Sequence, residues 1–394
     1  MPNTLLNINM ITAKALVILH QKLNFIGSIN RSYDDSFAQS GAKIGSTLRI
    51  RLPVQFTVSN GAPLAVQDVT EVNTSLTISS QKHVDFSFSA LELTLNIDDF
   101  AARYLEPAMS VLAANIEADA LTMYKSVYNE TRVPTPGGPQ TFKNVLQARK
   151  IMLDNLTPQS KQWMIRLNTQ DNVDLVDSLK GLFQSSNAIK TQYTDGVMGY
   201  TAGFEFAENT LLSTHTRGAA AGYQVDGSPQ FGSSLLVKTG TGAGVAGDVF
   251  TIAGVNSVHP ETKVSTGVLK QFTLTAPYAG GAGTMQISPT IVLQGGRQNV
   301  IAAPADNAAI TFSGTASTAS GLSLAYHPDA FTFATADLVM PGGVDMAARG
   351  VKDGISMRIV RQYDINNDVL PCRIDVLYGY AAIRPQLAVR VVAN

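Results

Sequence analysis

Apolar and polar residues alternate near the N-terminus, and the alternation predicts two long extended arms. The first arm has apolar side chains at every second position from Leu48 to Val58, and the second returns through apolar positions between Leu76 and Leu93. Asn60-Gly61 lies between them and is a common hairpin turn. Each arm exceeds the usual strand length of about 5–6 residues and has two half-polar faces. We therefore expect an extended hairpin that lies on a neighbouring subunit.

A helical pattern follows Pro107. Apolar side chains recur at steps of three and four residues up to about Asn129, so they form one stripe. Proline is well tolerated at the first position of a helix, which makes Pro107 the expected start. At about 1.5 Å per residue, this spine helix would be roughly 30 Å long. Its expected core residues are Met109, Leu112, Ile116 and Met123.

The middle of the chain changes from mixed to all-β. Helical patterns over 142–153 and 171–183 flank an apolar strand over 162–167, which indicates an α+β layer. From residue 214 to 321 the helical pattern is absent, and short strands alternate with Gly/Ala-rich turns. This spacing predicts a small β-barrel or sandwich inserted into the α+β domain. After Pro328 the pattern again permits helix.

The C-terminal strand has one apolar face, to which Ile374, Val376 and Tyr378 belong as expected core residues. Arg373 and Asp375 fall on the opposite, polar face. We expect Gly379 and the later Pro385 to interrupt and to end this strand, because glycine and proline mark bulges and edges.

Near the N-terminus, residues 10–25 predict an amphipathic helix. Lys14, His20 and Lys22 interrupt its apolar residues, so the segment is too short and too polar to cross a membrane. Two interpretations stay open. The helix packs on its own domain, or it belongs to an arm that reaches a neighbouring subunit or a scaffold protein.

Composition favours a subunit covered by its neighbours. The chain has 394 residues, of which 45% are hydrophobic and only 15% are charged. A typical soluble protein has about 25% charged residues, and mixed surface charge keeps monomers apart. The net charge is −1, from 29 basic and 30 acidic residues, without a basic run that would grip nucleic acid tightly. The single cysteine, Cys372, excludes an intrachain disulfide framework.

The sequence does not predict an active site. The glycines of residues 242–247 precede a strand, whereas a dinucleotide-binding glycine motif requires a helix directly after it. The five histidines are scattered, and no two have metal-ligand spacing. We therefore expect a protein that is not an enzyme and that has neither a cofactor nor a metal.

Four stretches resemble coat proteins of the P-twenty-two type from tailed phages. These are the Met-Gly-Tyr-Thr-Ala-Gly-Phe run over 198–209, the Gly-Asp strand over 247–255, the Leu-Ala-Tyr-His-Pro run over 324–331, and the C-terminal Cys-Arg-Ile strand with its Tyr-Gly pair and Arg-Pro. The resemblance implies an α+β tailed-phage major capsid fold, Hong Kong ninety-seven-like, with an inserted small β-barrel. The implied segments are an N-terminal arm (1–46), an extended β-hairpin loop (47–97), a peripheral domain with the spine helix (98–135), the first part of an axial domain (136–213), the inserted β-barrel (214–321) and a return through the axial and peripheral domains (322–394).

The resemblance also implies a function. Such a chain would be a structural major capsid protein that assembles into pentamers and hexamers of an icosahedral head around double-stranded DNA. Its partners would be itself, a separate scaffolding protein, a portal and decoration proteins, with weak non-specific contact to packaged DNA and no membrane. It would be assembled in the host cytoplasm as a precursor shell that expands during packaging, and it would reside in the virion. A loop that contacts the neighbouring capsomer in the family matches residues 223–230, where Asp226 is the only acidic residue.

The alternative function is a β-rich surface adhesin or glycan-binding protein. Low charge and abundant Thr, Ser and Gly would suit it. The spine helix and the order of the predicted elements favour the capsid interpretation.

Overall fold

The chain has a mixed α+β fold that divides into two compact units. The first unit comprises the described residues of Met1–Ile50, Asn73–Leu121 and Phe331–Ile383, and the second those of Arg51–Val72, Thr122–Ala330 and Arg384–Asn394. The computed structural model describes residues 8–32, 45, 47–59, 61, 64, 66–67, 71–88, 101–135, 137–159, 162–179, 199–352, 355–366 and 369–393.

The described residues form four α-helices and three isolated 3-10 turns. The helices are α1 (Ile8–Lys22), α2 (Glu106–Leu121), α3 (Phe142–Asp154) and α4 (Thr169–Leu179). A π-helical turn (Ala101–Leu105) precedes α2, and a 3-10 turn (Thr122–Ser126) follows it. The isolated 3-10 turns are Ile26–Ser28, Pro328–Ala330 and Pro385–Leu387.

The described strands range from two residues to the 13 residues of the C-terminal strand Leu370–Ala382. In chain order they are β1 (Thr47–Arg51), β2 (Asn73–Thr77), β3 (Ser80–Phe88), β4 (Glu130–Arg132), β5 (Met164–Leu167), β6 (Tyr200–Thr201), β7 (Phe204–Glu208), β8 (His215–Thr216), β9 (Ala221–Val225), β10 (Gly232–Thr241), β11 (Val249–Val258), β12 (Ser265–Leu274), β13 (Gly283–Ile291), β14 (Ile310–Phe312), β15 (Ala319–Ser320), β16 (Leu322–Tyr326), β17 (Phe331–Ala336), β18 (Met346–Lys352), β19 (Ile355–Arg361), β20 (Leu370–Ala382) and β21 (Ala388–Val392).

In the first unit, helices cover one face of a five-stranded antiparallel sheet. β20 is its centre, with β3 on one side and β17 and β19 on the other, and β18 follows β19 at the edge. On the apolar face, the Tyr378 hydroxyl donates to Asp119 of α2 at 2.5 Å. Lys82 of β3 lies on the same face and pairs with Asp119 at 2.8 Å. These contacts place the spine helix across the apolar face of the C-terminal strand.

The polar face of β20 is also buried. Asp375 is fully buried and accepts from Arg358 and Arg373, each at 2.7 Å. Burial by itself would raise the pKa of Asp375, but the hydrogen bonds from the two arginines outweigh it, so the pKa lies below its usual value. A sheet face that the sequence presents as polar is therefore closed by an ion-pair cluster.

The expectation that Gly379 interrupts the C-terminal strand is wrong, since β20 continues to Ala382 and Gly379 pairs with Ala334. A Cβ atom at Gly379 would lie 2.2 Å from the Thr77 carbonyl oxygen. The glycine therefore allows a backbone crossing at close range and keeps the strand intact.

The spine helix begins earlier than expected. Its helical segment starts with a π-helical turn at Ala101, so Pro107 lies inside the segment. Proline lacks the N–H that would continue the α-helical ladder, and the preceding turn is widened to the π type. The segment ends in a 3-10 turn at Ser126, before the expected end near Asn129.

The N-terminal helix α1 packs on its own chain. Its Ile11, Ala15, Leu16 and Leu19 are buried, and the Phe25 amide that follows it donates to Glu117 of α2 at 3.0 Å. Of the two open interpretations, the structure favours packing within its own domain for the described part of residues 1–46. In the described residues from Pro328 onward, where the pattern permitted helix, the regular elements are strands and two 3-10 turns.

The second unit contains a mixed six-stranded sheet in the order β4-β21-β16-β5-β7-β6. Helix α3 covers it because Val145, Ala148 and Met152 form one apolar face of the helix and join the core of the sheet. Thr141 caps α3, accepting from the Asn144 amide. Trp163, the only tryptophan of the chain, is buried in the same core.

A second six-stranded sheet of this unit is a closed barrel built from residues 221–312. Its order is β14-β11-β12-β13-β10-β9, and Gln224 of β9 bridges Ala309 just before β14, which joins the two edges. The interior is a dedicated apolar core. Its buried residues are Ala220, Tyr223, Val225, Leu235, Val237, Phe250, Ile252, Val255, Phe272, Leu274, Met285, Ile287, Ile291, Val300, Ile310 and Phe312.

The predicted hairpin is regular only at its base. β1 pairs with β2, but the strand ends at Arg51, because Pro53 has no N–H to donate to a ladder. Beyond it, the Gln67 side chain joins the arms by accepting from the Thr57 amide at 2.9 Å. The later part of the predicted second arm, β3, pairs with β20 instead, and residues 89–97 lie outside the described residues.

Candidate functional site

The barrel is attached through a narrow two-stranded neck. β8 enters the barrel and β15 leaves it, and the two strands pair, with Ser320 opposite His215. The Arg217 amide donates to the Thr318 carbonyl at 3.1 Å, which continues the pairing toward the barrel. Both connections therefore leave the barrel at one point, and side chains around this point decide how firmly it is held.

A buried carboxylate organises the barrel side of the neck. Asp248 accepts from the backbone amides of Gly218 at 3.0 Å and Val245 at 2.8 Å. Its other oxygen lies 2.9 Å from Nε2 of His215, whose Nδ1 is 3.2 Å from the Tyr124 hydroxyl. Burial raises the pKa of Tyr124. The result is a continuous hydrogen-bonded chain from the loop at the barrel base to the turn that contains Tyr124.

Arg390 of β21 connects the mixed sheet to the same place. Its side chain is fully buried, and it donates to the carbonyl oxygens of Gly247 at 2.5 Å and Lys125 at 3.2 Å, and to the Thr273 hydroxyl at 3.2 Å. The guanidinium lies over the Tyr124 ring, 5.4 Å from its centroid. Burial lowers the pKa of Arg390 to about 10. One side chain therefore joins a mixed-sheet strand to two segments of the barrel.

Glu130 forms a third connection, from β4. It accepts from Arg132 at 3.2 Å and from the Ser313 hydroxyl, while Arg132 donates to Ser320 of the neck at 3.0 Å. The Glu130 backbone exchanges two hydrogen bonds with the Gln271 side chain, at 2.9 and 2.8 Å. Two side chains of β4 therefore make these connections: Arg132 binds the neck, and Glu130 binds Ser313 directly after the last barrel strand.

We call Glu130, Arg132, His215, Asp248 and Arg390 the polar junction. Asp248 and Arg390 are fully buried charges with several hydrogen bonds each, and they define one geometry, since any displacement leaves them unpaired at a high cost. These contacts therefore position the barrel on the mixed sheet. Among the described residues, no group of three or more His, Cys, Asp or Glu side chains could hold a metal ion.

Sequence reasoning missed the junction. His215 and Asp248 are far apart in the chain, and their meeting depends on the turn at the barrel base. One local signal exists, which is Arg390 between apolar residues in β21. A charged residue in a strand in which all the remaining residues are buried indicates a buried ion pair or hydrogen-bond network.

The predicted core residues are buried, but they divide between the two units. In the first unit, Met109, Leu112 and Ile116 belong to α2, and Ile374, Val376 and Tyr378 belong to β20. Met123 is buried in the 3-10 turn after α2, which belongs to the second unit. Burial raises the pKa of Cys372 to about 12, in keeping with an inert thiol.

Asp226 begins the loop between β9 and β10. Its carboxylate lies 3.4 Å from the Lys238 ammonium, which is 2.6 Å from Asp306. The Gln230 side chain bridges the loop, donating to the Asp226 carbonyl at 2.7 Å and accepting from the Leu236 amide at 2.7 Å. The loop is therefore held in shape by its own chain, and a role between capsomers stays a prediction.

Comparison with known protein families identifies the chain. Residues 35–391 match the family model of the P22 coat protein, gene protein 5. The chain belongs to the P22 coat protein family. It is a tailed-phage capsid protein, and its α+β architecture with an inserted barrel is the capsid fold that the sequence predicted. Family membership favours this over the adhesin interpretation.

Solved structures similar to this coat protein come from several phages. That of Mycobacterium phage Che8 has 11% identity and a TM-score of 0.47, over 94% of this chain and 91% of that one. The capsid structure of the cyanophage P-SCSP1u has 11% identity and a TM-score of 0.43, over 90% and 84%. The CUS-3 coat protein I-domain is 32% identical, covers 26% of this chain and 97% of its own, and has a TM-score of 0.18.

A search of curated proteins gives no match. In the part of the chain that the structure describes, no helix is both long and apolar enough to span a bilayer.

Proposed function

We propose that this coat protein is the major shell subunit of a tailed-phage head, which assembles into pentamers and hexamers of an icosahedral shell around double-stranded DNA. The observation that carries the proposal is the family match over residues 35–391. The role is structural, without catalysis. Assembly takes place in the host cytoplasm with a separate scaffolding protein and a portal, and decoration proteins are further candidate partners.

The extended segment of residues 51–72 supports assembly through neighbouring copies. Its apolar side chains Phe56, Val58, Leu64 and Val66 are exposed, and Val58 and Leu64 are 92% and 90% accessible. Contiguous exposed apolar side chains are typical of surfaces that a partner covers. Beyond its base, the described residues of the hairpin are outside regular strand pairing, and a hairpin without such pairing has little stability of its own. We infer that a neighbouring subunit covers this segment in the shell.

Low charge supports weak, non-specific contact with the packaged DNA. Binding to phosphate backbones depends on clustered Lys and Arg. With 29 basic and 30 acidic residues and no basic run, the chain would enclose DNA without gripping it. Energy for expansion of a precursor shell would then come from newly buried subunit interfaces.

Negative-stain microscopy tests the proposal. The expressed protein, alone and with a scaffolding protein of the same phage, should form closed shells of uniform size with five- and six-fold clusters. A protein that stays monomeric under both conditions and binds glycans instead would contradict it.

A further inference from the structure

A cleft of the second unit lies between the end of α3 and the β11–β12 hairpin. Its volume is about 610 Å³, within the usual range for ligand sites of about 300–1,000 Å³. Apolar walls come from Ile151, Val258, Val268 and Leu269, and Lys270 lies among them. Val268 and Leu269 are exposed at the rim, so a solvent-filled cleft leaves apolar surface uncovered.

Lys270 is the unusual group in this cleft. Its ammonium lies over the Tyr128 ring, 4.8 Å from the centroid. Within the described residues, no carboxylate lies at ion-pair distance from Lys270, and no oxygen accepts a hydrogen bond from it. Burial lowers the pKa of Lys270 to about 8 and is the sole cause of the shift. A half-buried cation that lies over a tyrosine ring without an anion beside it favours a partner that supplies one.

Other titratable groups of the cleft are already engaged. Asp154 of α3 pairs with Lys150 at 2.6 Å. In the hairpin turn, Nδ1 of His259 lies 3.3 and 3.2 Å from the backbone amides of Glu261 and Thr262, which donate to it. Burial raises the pKa of Tyr128, so its phenol stays neutral beside Lys270. The charge balance of the cleft therefore favours an added carboxylate.

We propose that an Asp or Glu side chain of a second copy of this coat protein enters the cleft on assembly and pairs with Lys270. The proposal rests on the proposed function, because it requires a shell built from copies. A carboxylate would pair with the half-buried ammonium, and the segment that carries it would cover Val268 and Leu269. A free small anion would satisfy the charge but would leave this apolar rim uncovered.

Competitive acetylation with acetic anhydride, followed by peptide mass spectrometry, tests the pairing. The pH profile of Lys270 acetylation should have a midpoint near pH 8 in soluble subunits. In shells assembled from the purified protein, a neighbouring carboxylate should move that midpoint to higher pH, whereas burial alone would lower it. Shells in which the midpoint is unchanged or lower overturn the pairing, and failure to form shells at all defeats the proposed function itself.

A pair of variants provides an independent test. Lys270→Met keeps an unbranched side chain of similar size and removes the half-buried charge, so subunit melting should not fall. The lowest subunit concentration that gives shells should rise about tenfold or more, as for other close charge pairs across interfaces. The control is Lys143→Met, which removes an exposed cation from helix α3 at a position outside the cleft. Equal assembly by the two variants overturns the pairing.

Discussion

At the scale of single residues, buried charged side chains determine the geometry of the polar junction. Arg390 is fully buried, and its guanidinium donates to three acceptors, two of them in barrel segments and one in the 3-10 turn after α2. The planar fork of an arginine suits this arrangement, because several N–H groups point in fixed directions. A lysine would keep the charge but not the directions. Substitution of Arg390, even by lysine, should therefore destabilise the subunit.

We predict that Arg390→Met lowers the free energy of unfolding of the soluble subunit by about 3 kcal/mol or more, because it leaves buried acceptors without a donor. Arg390→Lys should give a smaller loss. Chemical denaturation measures both, and hydrogen exchange should show faster opening of the neck over residues 215–218. Arg149→Met, at an exposed arginine of the same unit, is the control and should stay close to wild type. If Arg390→Met melts like this control, the polar junction does not hold the barrel.

At the scale of elements, the spine helix combines one buried and one exposed face. Ile116 is 1% accessible, whereas Val111 of the same helix is 58% accessible. The same substitution at both positions therefore separates the effect of burial from the effect of helix propensity. Both positions lie in one helix and receive the same new residue.

Ile116→Asp should give insoluble subunits, because an unpaired buried carboxylate costs several kcal/mol and folding fails before assembly. Val111→Asp should change the free energy of unfolding of the subunit by no more than about 0.5 kcal/mol. Soluble expression and thermal melting measure the difference. Soluble Ile116→Asp subunits with wild-type melting would mean that the helix does not pack on the C-terminal strand.

The extended segment gives the opposite expectation. Val58→Ser combined with Leu64→Ser should leave subunit melting unchanged, because both side chains are exposed in the subunit. Shell assembly should be impaired, since the substitutions remove apolar surface that a neighbour would bury. The conservative pair Val58→Ile and Leu64→Met keeps that surface and should assemble normally. Microscopy compares the yields, and normal shells from the serine pair would show that the segment is not an assembly element.

At the scale of the whole molecule, the barrel is an almost self-contained module. Its sheet closes on itself, its core cluster lies within residues 220–312, and its two connections pair in the neck. Residues 214–321 expressed alone should therefore give a β-type circular dichroism spectrum and cooperative melting. A random-coil spectrum would mean that the polar junction is required for folding as well as for positioning.

Periodicity alone was sufficient for much of the fold. The helical pattern over 142–153 and the strands within 214–321 follow from local spacing, because burial of one face sets the period of apolar residues. The resemblance of four stretches to phage coat proteins, together with the order of the elements, implied the capsid fold, which family membership confirms.

Only the tertiary structure decided which chain segments meet. Gly379 marks a close backbone crossing by Thr77, and local sequence cannot distinguish this from a bulge. Asp375 looks solvent-facing by alternation, yet Arg358 and Arg373 enclose it. His215 and Asp248 meet through the turn at the barrel base, and Arg390 of the mixed sheet binds Gly247 in that same turn. Alternation records which faces are apolar, whereas the partners of a buried charge depend on contacts between residues that are remote in the chain.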